Sequence, residues 1–482
     1  MTRSRRRHRA SHGALVPEKP HVCLIVDNPL RDLEGLVLLG RQLAAGGVAV
    51  TLVPMYEQGF DVPALRPDLV LVNYTRPNNA DLIKSYKRAG ILVGVLDTEG
   101  IGGKNPDQFA EMVKSVGCTD LVDLYCVWGQ AQYEAFLRHG TVRANILHAT
   151  GCPRYDFCAA PWRAALPAPS VASGYVLINT NFPTVNPRFS SSSADEQESM
   201  VQAGFSREFA RQFITDARHA YRSVLDTSIS LAKHFTDVTF VLRPHPFENI
   251  HAYDALAELP NAHVRQDGTS LEWIADARLL IHQNCSTAIE AAMLKVEPLS
   301  MEWFNTSALR LQAATGVSRA AASEADLMEL VRQGLDGKLS PPDQATEMFR
   351  RQIMGDLFTA VDGASSVRVI EAILQTIGAA RGGRSNAVAL ARPSARGLVA
   401  ETVRRTLGYK TSTALRRSYG SPENERRRLG KAFAPDLVDS VLRRVSAAAG
   451  DGRNFVAQRA TGGSRRISRA VSGASMRLME AN

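Results

Sequence analysis

The sequence predicts an α/β protein with two Rossmann-like, doubly wound domains that face each other across a cleft. Apolar, β-branched runs alternate with helix-length amphipathic stretches from residue 21 onward, which is typical of parallel β-α-β units. A Pro/Ala-rich passage interrupts the alternation and is interpreted as a linker over residues 161–174. The chain has 482 residues, more than one hydrophobic core usually supports, so two domains are expected.

The first domain is predicted over residues 21–160. Its candidate strands are the apolar runs at residues 21–27, 48–54, 68–74, 91–97, 121–128 and 145–151. Helix-like stretches lie between them at residues 31–45, 78–89 and 106–116. In a sheet of this kind, polar residues just after the strands are the first candidates for function.

The second domain is predicted over residues 175–380. Its candidate strands are residues 175–182, 237–244, 262–266, 277–283 and 297–302. Helical sequence fills residues 200–234, 323–335 and 343–380. The natural ligand site of such a pair of domains is the cleft between them, at the carboxyl ends of the strands.

The positive charge of the chain is concentrated at its two ends. Residues 381–482 hold 21 Lys and Arg against 7 Asp and Glu, a net charge of +14, and residues 1–20 hold 6 against 1. Since the whole chain carries +9, about −10 remains for residues 21–380. We interpret residues 1–20 as a basic disordered arm and residues 381–482 as a basic, partly helical or disordered extension. Such an extension suits an anionic membrane surface, and nucleic acid is the less favoured partner. The alternative is a weakly ordered tail that only aids solubility.

The composition is that of a globular protein, with 45% apolar and 22% charged residues. No run approaches ~20 apolar residues, so no transmembrane helix is expected. The basic first residues lack the apolar centre of a secretory signal. Six cysteines without a C-x-x-C pair suit reduced thiols rather than zinc or disulfides. We therefore expect a cytoplasmic protein, peripheral at the inner face of the membrane if the extension binds there.

The sequence VLRPHPFEN, residues 241–249, ends a predicted strand with two prolines that stop both helix and sheet. His245 is a candidate donor to a departing phosphate oxygen, because imidazole titrates near neutral pH. Arg243 would supply a permanent charge beside it, and Glu248 is a further candidate for the cleft. The alternative is a structural turn in which His245 caps carbonyls and Arg243 pairs with Glu248.

A second turn, HQNCSTAIEA, opens a predicted helix. Ser286 and Thr287 stand at its N-terminus, where unpaired N–H groups attract anions, and Asn284 precedes them. Glu290 lies one turn further on and is a candidate for ribose hydroxyls. Alternatively, Thr287 and Glu290 form a capping box that needs no ligand.

A third turn, INTNF, follows the first strand of the second domain. It brings Asn179, Thr180 and Asn181, small polar groups that suit a donor phosphate. No Walker loop and no G-x-G-x-x-G fingerprint occurs, so ATP and NAD chemistry are not favoured.

Two turns of the first domain carry acids. LDTEGIGG places Asp97 and Glu99 beside a glycine-rich turn, where either carboxylate is a candidate general base. DNPLRDLEG brings Arg31 and Glu34 to the cleft, although a solvated helix start explains its acids equally well.

Taken in order, these stretches resemble the bacterial surface carbohydrate biosynthesis proteins, which are glycosyltransferase-like. The resemblance covers roughly residues 21–305 and rests on the segments RDLEGLVLLGRQLAAGG, LDTEG, YCVWG, TGCPRYD, INTNF, LRPHPFEN and EWIADARLLIHQNCSTAIEA. It implies a GT-B fold with an N-terminal acceptor domain and a C-terminal donor domain.

A wider resemblance is to bacterial sialyltransferases and Kdo transferases, which use CMP-activated sugars. Their acidic, His-Pro and Ser/Thr motifs match Glu99-Gly100, His245-Pro246 and Ser286-Thr287 in order. The resemblance implies that His245 stabilises the departing CMP phosphate and that the two hydroxyls hold it. Thr98 stands where the sialyltransferase pattern has an acid, so both Asp97 and Glu99 stay open as the base.

The sequence therefore predicts a metal-independent glycosyltransferase of surface polysaccharide biosynthesis, with no bound cofactor. The donor would be a nucleotide sugar, with a CMP-linked ulosonic acid as the sharper form, and the acceptor a glycan or a lipid-linked glycan. No Asp-x-Asp motif stands in a strand-end turn, which favours neutralisation of the leaving phosphate by side chains and a helix N-terminus. The alternatives are a polyol-phosphate transferase resembling the teichoic-acid polymerases and a non-catalytic protein that retains the cleft for binding.

Overall fold

The computed structural model describes residues 19–98, 105–188, 193–202, 205–382, 428–460 and 471–481. Glu99 lies outside the described residues, as do almost all of the predicted basic arm and residues 383–427 of the extension. The predicted fold class is confirmed, because the chain forms two mainly parallel sheets with helices packed on them.

The described strands are β1 (His21–Val26), β2 (Ala49–Pro54), β3 (Leu69–Val72), β4 (Leu92–Leu96), β5 (Leu124–Val127), β6 (Leu147–Ala149), β7 (Val176–Asn179), β8 (Phe240–Arg243), β9 (Ala262–Val264), β10 (Leu279–His282), β11 (Glu297–Met301), β12 (Arg319–Ala321), β13 (Phe455–Arg459) and β14 (Met476–Glu480). Every strand predicted from the sequence is present. The last three strands were not predicted.

The described helices are α1 (Pro29–Ala45), α2 (Gln58–Leu65), α3 (Pro77–Arg88), α4 (Pro106–Ser115), α5 (Gln130–His139), α6 (Ser193–Gln202), α7 (Arg207–His234), α8 (Asp254–Ala257), α9 (Ser270–Ala275), α10 (Thr287–Leu294), α11 (Gln312–Gly316), α12 (Glu324–Leu335), α13 (Gln344–Leu357), α14 (Ser365–Arg381) and α15 (Pro435–Ala449). Short 3-10 turns lie between them, including Pro153–Cys158 and Trp162–Ala165. The helical stretches predicted at residues 200–234 and 343–380 are each two helices. None of the described helices is long and apolar enough to cross a bilayer.

The two sheets have different strand orders. The first runs β13-β14-β2-β1-β3-β4-β5-β6, and the second runs β12-β11-β10-β7-β8-β9. Counted from its own first strand, the second order is that of a Rossmann sheet, in which the strand order reverses between β7 and β10. In the first sheet, the strand order reverses between β1 and β3.

The described residues of the C-terminal extension are built into the first domain as a helix and two strands, whereas the sequence predicted a partly helical or disordered extension. β14 pairs antiparallel with β2, with Leu478 opposite Val50, and β13 pairs with β14. Helix α15 buries Val438, Leu442 and Val445 in the cluster that also contains the α1 core. The extension therefore completes the first sheet at one edge.

The chain also returns to the first domain through α14. The buried Asp156 carboxylate accepts hydrogen bonds from the backbone N–H groups of Ser365 and Ser366, both 2.8 Å long. Trp162, in the predicted linker, is buried and donates from Nε1 to the Gly363 carbonyl at 2.9 Å. The buried apolar cluster around α1 runs on through α10 to β10 of the second sheet, so the two halves share a core.

Candidate functional site

The second sheet brings three of the predicted turns to one edge. Asn179, at the end of β7, lies between Arg243 of β8 and His282 of β10 in the register of the sheet. The turns that carry His245 and Ser286 follow these two neighbours directly. Because parallel strands end at the same edge, these residues chosen from the sequence lie around the point where the strand order reverses.

Helix α10 begins at this edge without a side-chain cap. Ser286 is exposed at the N-cap position and its side chain makes no capping hydrogen bond. The Thr287 hydroxyl lies 3.1 Å from Cys285 Sγ and accepts a hydrogen bond of 2.9 Å from Asn179 Nδ2. The predicted capping box is therefore wrong. The N–H groups of Ala288 and Ile289 donate to the carbonyls of Cys285 and Ser286 at 3.1 and 3.0 Å, so the helix dipole and the exposed Ser286 hydroxyl are what favours an anion here. Asn179 Oδ1 is buried and has no hydrogen-bond partner among the described residues.

The His245 turn is held from beneath by Glu248. This carboxylate is fully buried and accepts hydrogen bonds from the backbone N–H groups of His245 and Phe182, at 3.0 and 2.9 Å. It also accepts from the hydroxyls of Thr180, at 2.9 Å, and Tyr253. Burial raises the pKa of Glu248, and these hydrogen bonds oppose the rise. Glu248 therefore fixes the turn. The sequence had suggested that it faces the cleft, but its carboxylate is buried.

The ring of His245 has a defined hydrogen-bonding role on one side. Phe247 N–H donates to His245 Nδ1 at 3.2 Å, so in the neutral ring the proton resides on Nε2. The Gln266 side chain donates to the His245 carbonyl at 2.8 Å and steadies the backbone. The imidazole is half-buried and can donate from Nε2.

Arg243 does not pair with Glu248, so that alternative is wrong. Its guanidinium donates to the carbonyls of Asp267 and Gly268 at 2.7 and 2.9 Å, and it lies 5.6 Å from the centre of the Trp273 ring. Burial lowers the pKa of Arg243, and nearby carboxylates, Glu272 first, oppose this. These carbonyl contacts place the positive charge of Arg243 at the loop before α9. Its Nε is buried and has no partner in the part of the chain that the structure describes.

The remaining candidates of the second domain link neighbouring turns. Asn181 donates to the Asn284 carbonyl at 3.2 Å, and the Asn284 side chain bonds to the backbone of Leu309 and Leu311. A continuous set of hydrogen bonds thus joins the turns after β7, β8 and β10.

Glu290 is committed to other side chains. It is buried, lies 3.0 Å from Arg154 Nη2, and accepts a 2.6 Å hydrogen bond from the Ser270 hydroxyl. Arg154 itself lies 4.6 Å from the centre of the Tyr155 ring. This arginine, in the TGCPRYD segment, was not among the predicted site residues. Its only sequence signal was its place after a strand of the first domain.

The first sheet has a second group of polar side chains where its strand order reverses, after β1 and β4. Arg31 donates to Asp27 at 2.8 Å, to Asp32 at 2.7 Å and to the Thr98 hydroxyl at 3.2 Å. Asp97 is buried, and its carbonyl accepts from Trp128 Nε1 at 2.6 Å. The other candidate base, Glu99, lies outside the described residues, so Asp97 and Glu99 remain predictions.

Glu34 lies at the contact between the halves. It accepts hydrogen bonds from Arg444 of α15 at 2.6 Å and from the Thr269 hydroxyl at 3.4 Å, and burial raises its pKa. Glu272 is close by, and burial together with the charge of Glu34 raises its pKa to about 7. The predicted cleft residue Glu34 therefore joins three segments of the chain.

No group of three or more His, Cys, Asp or Glu side chains is arranged for a metal among the described residues. The absence of a metal from the reaction stays a prediction.

No protein-family model matches the chain, and no curated protein matches it by sequence. Solved structures match it in three dimensions at low identity. The UDP-GlcNAc 2-epimerase of Methanocaldococcus jannaschii, in complex with UDP-GlcNAc and UDP, has a TM-score of 0.47 and 12% identity, over 74% of this chain and 99% of that one. The wall teichoic acid polymerase TagF has a TM-score of 0.48 and 10% identity, over 75% and 90%. The glycotransferase of kitacinnamycin has a TM-score of 0.39 and 14% identity, over 75% and 100%.

Proposed function

We propose that this chain is a GT-B-type glycosyltransferase of bacterial surface polysaccharide biosynthesis. It transfers a sugar from a nucleotide-sugar donor to a glycan acceptor on the cytoplasmic side of the membrane. The observation that carries the proposal is the hydrogen-bonded set of turns at the ends of β7, β8 and β10. Three features lie at this one strand edge: the start of α10, which has no side-chain cap, the buried Asn179 Oδ1, and the Nε2 side of His245.

Each group has a role that its chemistry supports. The donor phosphates would lie at the N-terminus of α10, against Ser286 and Thr287, where the hydroxyls and the helix dipole favour anions. His245 would donate from Nε2 to the phosphate oxygen that becomes charged as the sugar leaves. No metal is needed, since these donors neutralise the developing charge. Asp97 or Glu99 of the first domain would accept the proton of the acceptor hydroxyl.

The donor we propose is a CMP-linked ulosonic acid. Thermal-shift measurements with CMP, UDP and CDP-glycerol test this, because a nucleotide that binds only the folded state raises the melting temperature. Stabilisation by CMP alone supports the proposal. Stabilisation by CDP-glycerol and a phosphodiester product would instead indicate a polyol-phosphate transferase. No response to any of the three would indicate a binding protein without this activity.

The His245→Ala variant tests the chemistry. Release of CMP from CMP-N-acetylneuraminic acid and CMP-Kdo should be lost, while the melting temperature stays at the wild-type value. His251→Ala is the matched control, because His251 lies in the next turn with 81% of its side chain exposed. Turnover retained by His245→Ala would remove this imidazole from the mechanism.

A further inference from the structure

The C-terminal extension reaches the polar group at the end of the first sheet. Lys431 Nζ donates to Asp27 Oδ1 and lies 3.6 Å from Met55 Sδ. Arg428 donates to Glu57 at 2.7 Å. Asp27 directly follows β1, and Glu57 lies in the 3-10 turn after β2. Residues more than 350 positions apart in the sequence therefore meet over the carboxyl ends of two neighbouring strands.

Lys431 begins a series of contacts that leads to Thr98, the residue between the two candidate bases. Asp27 uses its two oxygens for different cations, Oδ1 for Lys431 and Oδ2 for Arg31. The same Arg31 nitrogen reaches the Thr98 hydroxyl at 3.2 Å. Thr98 stands directly between Asp97 and Glu99 in the sequence. Movement of Asp27 would thus be transmitted to the strand end that carries both candidate bases.

The burial of these contacts distinguishes them from a surface ion pair. The side chain of Asp27 is 5% exposed and that of Lys431 is 18% exposed. Removal of water from a charge is costly unless the partner is well placed, and loss of one partner leaves the other charge poorly compensated. A carboxylate held at both oxygens also has little freedom to rotate.

We propose that Lys431 is a positioning residue for the first domain's part of the active site, acting through Asp27 and Arg31 on Thr98. The extension is on this view part of the catalytic unit. The effect on turnover rests on the proposed function, whereas the effect on the geometry of the strand ends does not.

Hydrogen exchange of backbone amides tests the geometry without a substrate. Lys431→Met should make the amides of Asn28 and Thr98 exchange roughly tenfold faster, since Asp27 loses one of its two fixed partners. Lys431→Arg keeps the charge and should restore slow exchange. Arg453→Gln is the matched control, because Arg453 pairs with Glu480 elsewhere on the same extension. Unchanged exchange at both amides in Lys431→Met would overturn the proposal.

Two further measurements separate the possible failures. If Lys431→Met does not fold, Asp27→Asn replaces it, and the same two amides should become faster. In the CMP-release assay, Lys431→Met should lower kcat roughly tenfold or more and leave the KM for the donor unchanged, because misplacement of a reacting group affects the chemical step. A raised KM with unchanged kcat would refute positioning. Failure of any nucleotide to stabilise the wild-type protein would count against the proposed function, and the exchange result would still decide the role of Lys431.

Discussion

The replacement of Glu248 tests how the His245 turn is built. In Glu248→Ala, four donors lose their acceptor: two backbone N–H groups, from His245 and Phe182, and the hydroxyls of Thr180 and Tyr253. The hydroxyls can rotate toward other acceptors, but the backbone groups cannot. Each buried N–H left without a partner costs about 1–3 kcal/mol, so the variant should lose roughly 4 kcal/mol of unfolding free energy.

Glu248→Gln should behave differently. Oε1 accepts three of the four hydrogen bonds, and a glutamine oxygen can occupy the same place. The amide NH₂ would then face Tyr253, whose hydroxyl can accept instead of donate. Because burial already raises the pKa of Glu248, loss of the charge should be tolerated. We expect a change within about 1 kcal/mol.

Urea unfolding followed by circular dichroism measures both variants, with Glu329→Ala as the control because its carboxylate pairs with Arg332 on the surface. Glu248→Ala should also lose CMP release, since the turn no longer holds His245. Equal destabilisation by Ala and Gln would show that the charge matters and the geometry does not. Wild-type stability of Glu248→Ala would refute the account of the turn.

Three other perturbations test the surrounding contacts. Gly268→Ala should cost more than backbone strain alone, because φ is +67° and an added Cβ would stand 1.3 Å from Glu272 Oε1, so the buried Glu272 side chain would have to move. In Gly337→Ala, with φ of +70° and nothing within 4 Å, only about 1 kcal/mol of backbone strain is expected, so equal effects in urea unfolding would contradict this. The pKa of Glu272 is raised from 4.5 to about 7, so its contribution to stability is present below pH 4.5 and lost as the pH rises to 7. Unfolding free energy measured across this range should fall by up to about 3 kcal/mol, and Glu272→Gln should flatten the fall. Asp156→Ala leaves two N–H groups of α14 unpaired and should cost about 3 kcal/mol, whereas Asp362→Ala removes only a partly exposed ion pair, and equal urea midpoints would refute the difference.

The sheet architecture was predictable because buried parallel strands are continuous apolar runs. β12 has the sequence RAA and offers no such run. β13 and β14, with sequences FVAQR and MRLME, are antiparallel and alternate buried with exposed side chains, and they lie in a segment dominated by its charge. A strand that pairs with β2 from residue 476 onward has no local signal of its partner, so its place could not be predicted from the sequence.

The polar residues show where sequence reasoning fails. The position of a residue after a strand was enough to choose Asn179, His245 and Ser286, because parallel strands share one edge. It could not show that Glu34 and Glu290 are buried against cations, since burial depends on residues far away in the sequence. For the same reason Arg154 was missed.

The basic extension forms ion pairs with the first domain that the sequence did not reveal. Its cations Arg428, Lys431 and Arg444 pair with Glu57, Asp27 and Glu34 of the acidic first domain. The charge asymmetry that suggested attraction to an external anionic surface is therefore partly neutralised within the molecule.

These pairings also narrow the chemistry of the site. A general acid or base must exchange its proton with the substrate, and a carboxylate held by several buried partners is poorly suited to that task. Glu248 is occupied by the turn, Glu290 by Arg154 and Ser270, and Glu34 by Arg444 and Thr269. Asp97 and Glu99 stay the candidates for the base that the sequence predicts. Because the contacts of Arg31 end at Thr98 between them, the extension, through Lys431, is connected to the place where the acceptor hydroxyl would lose its proton.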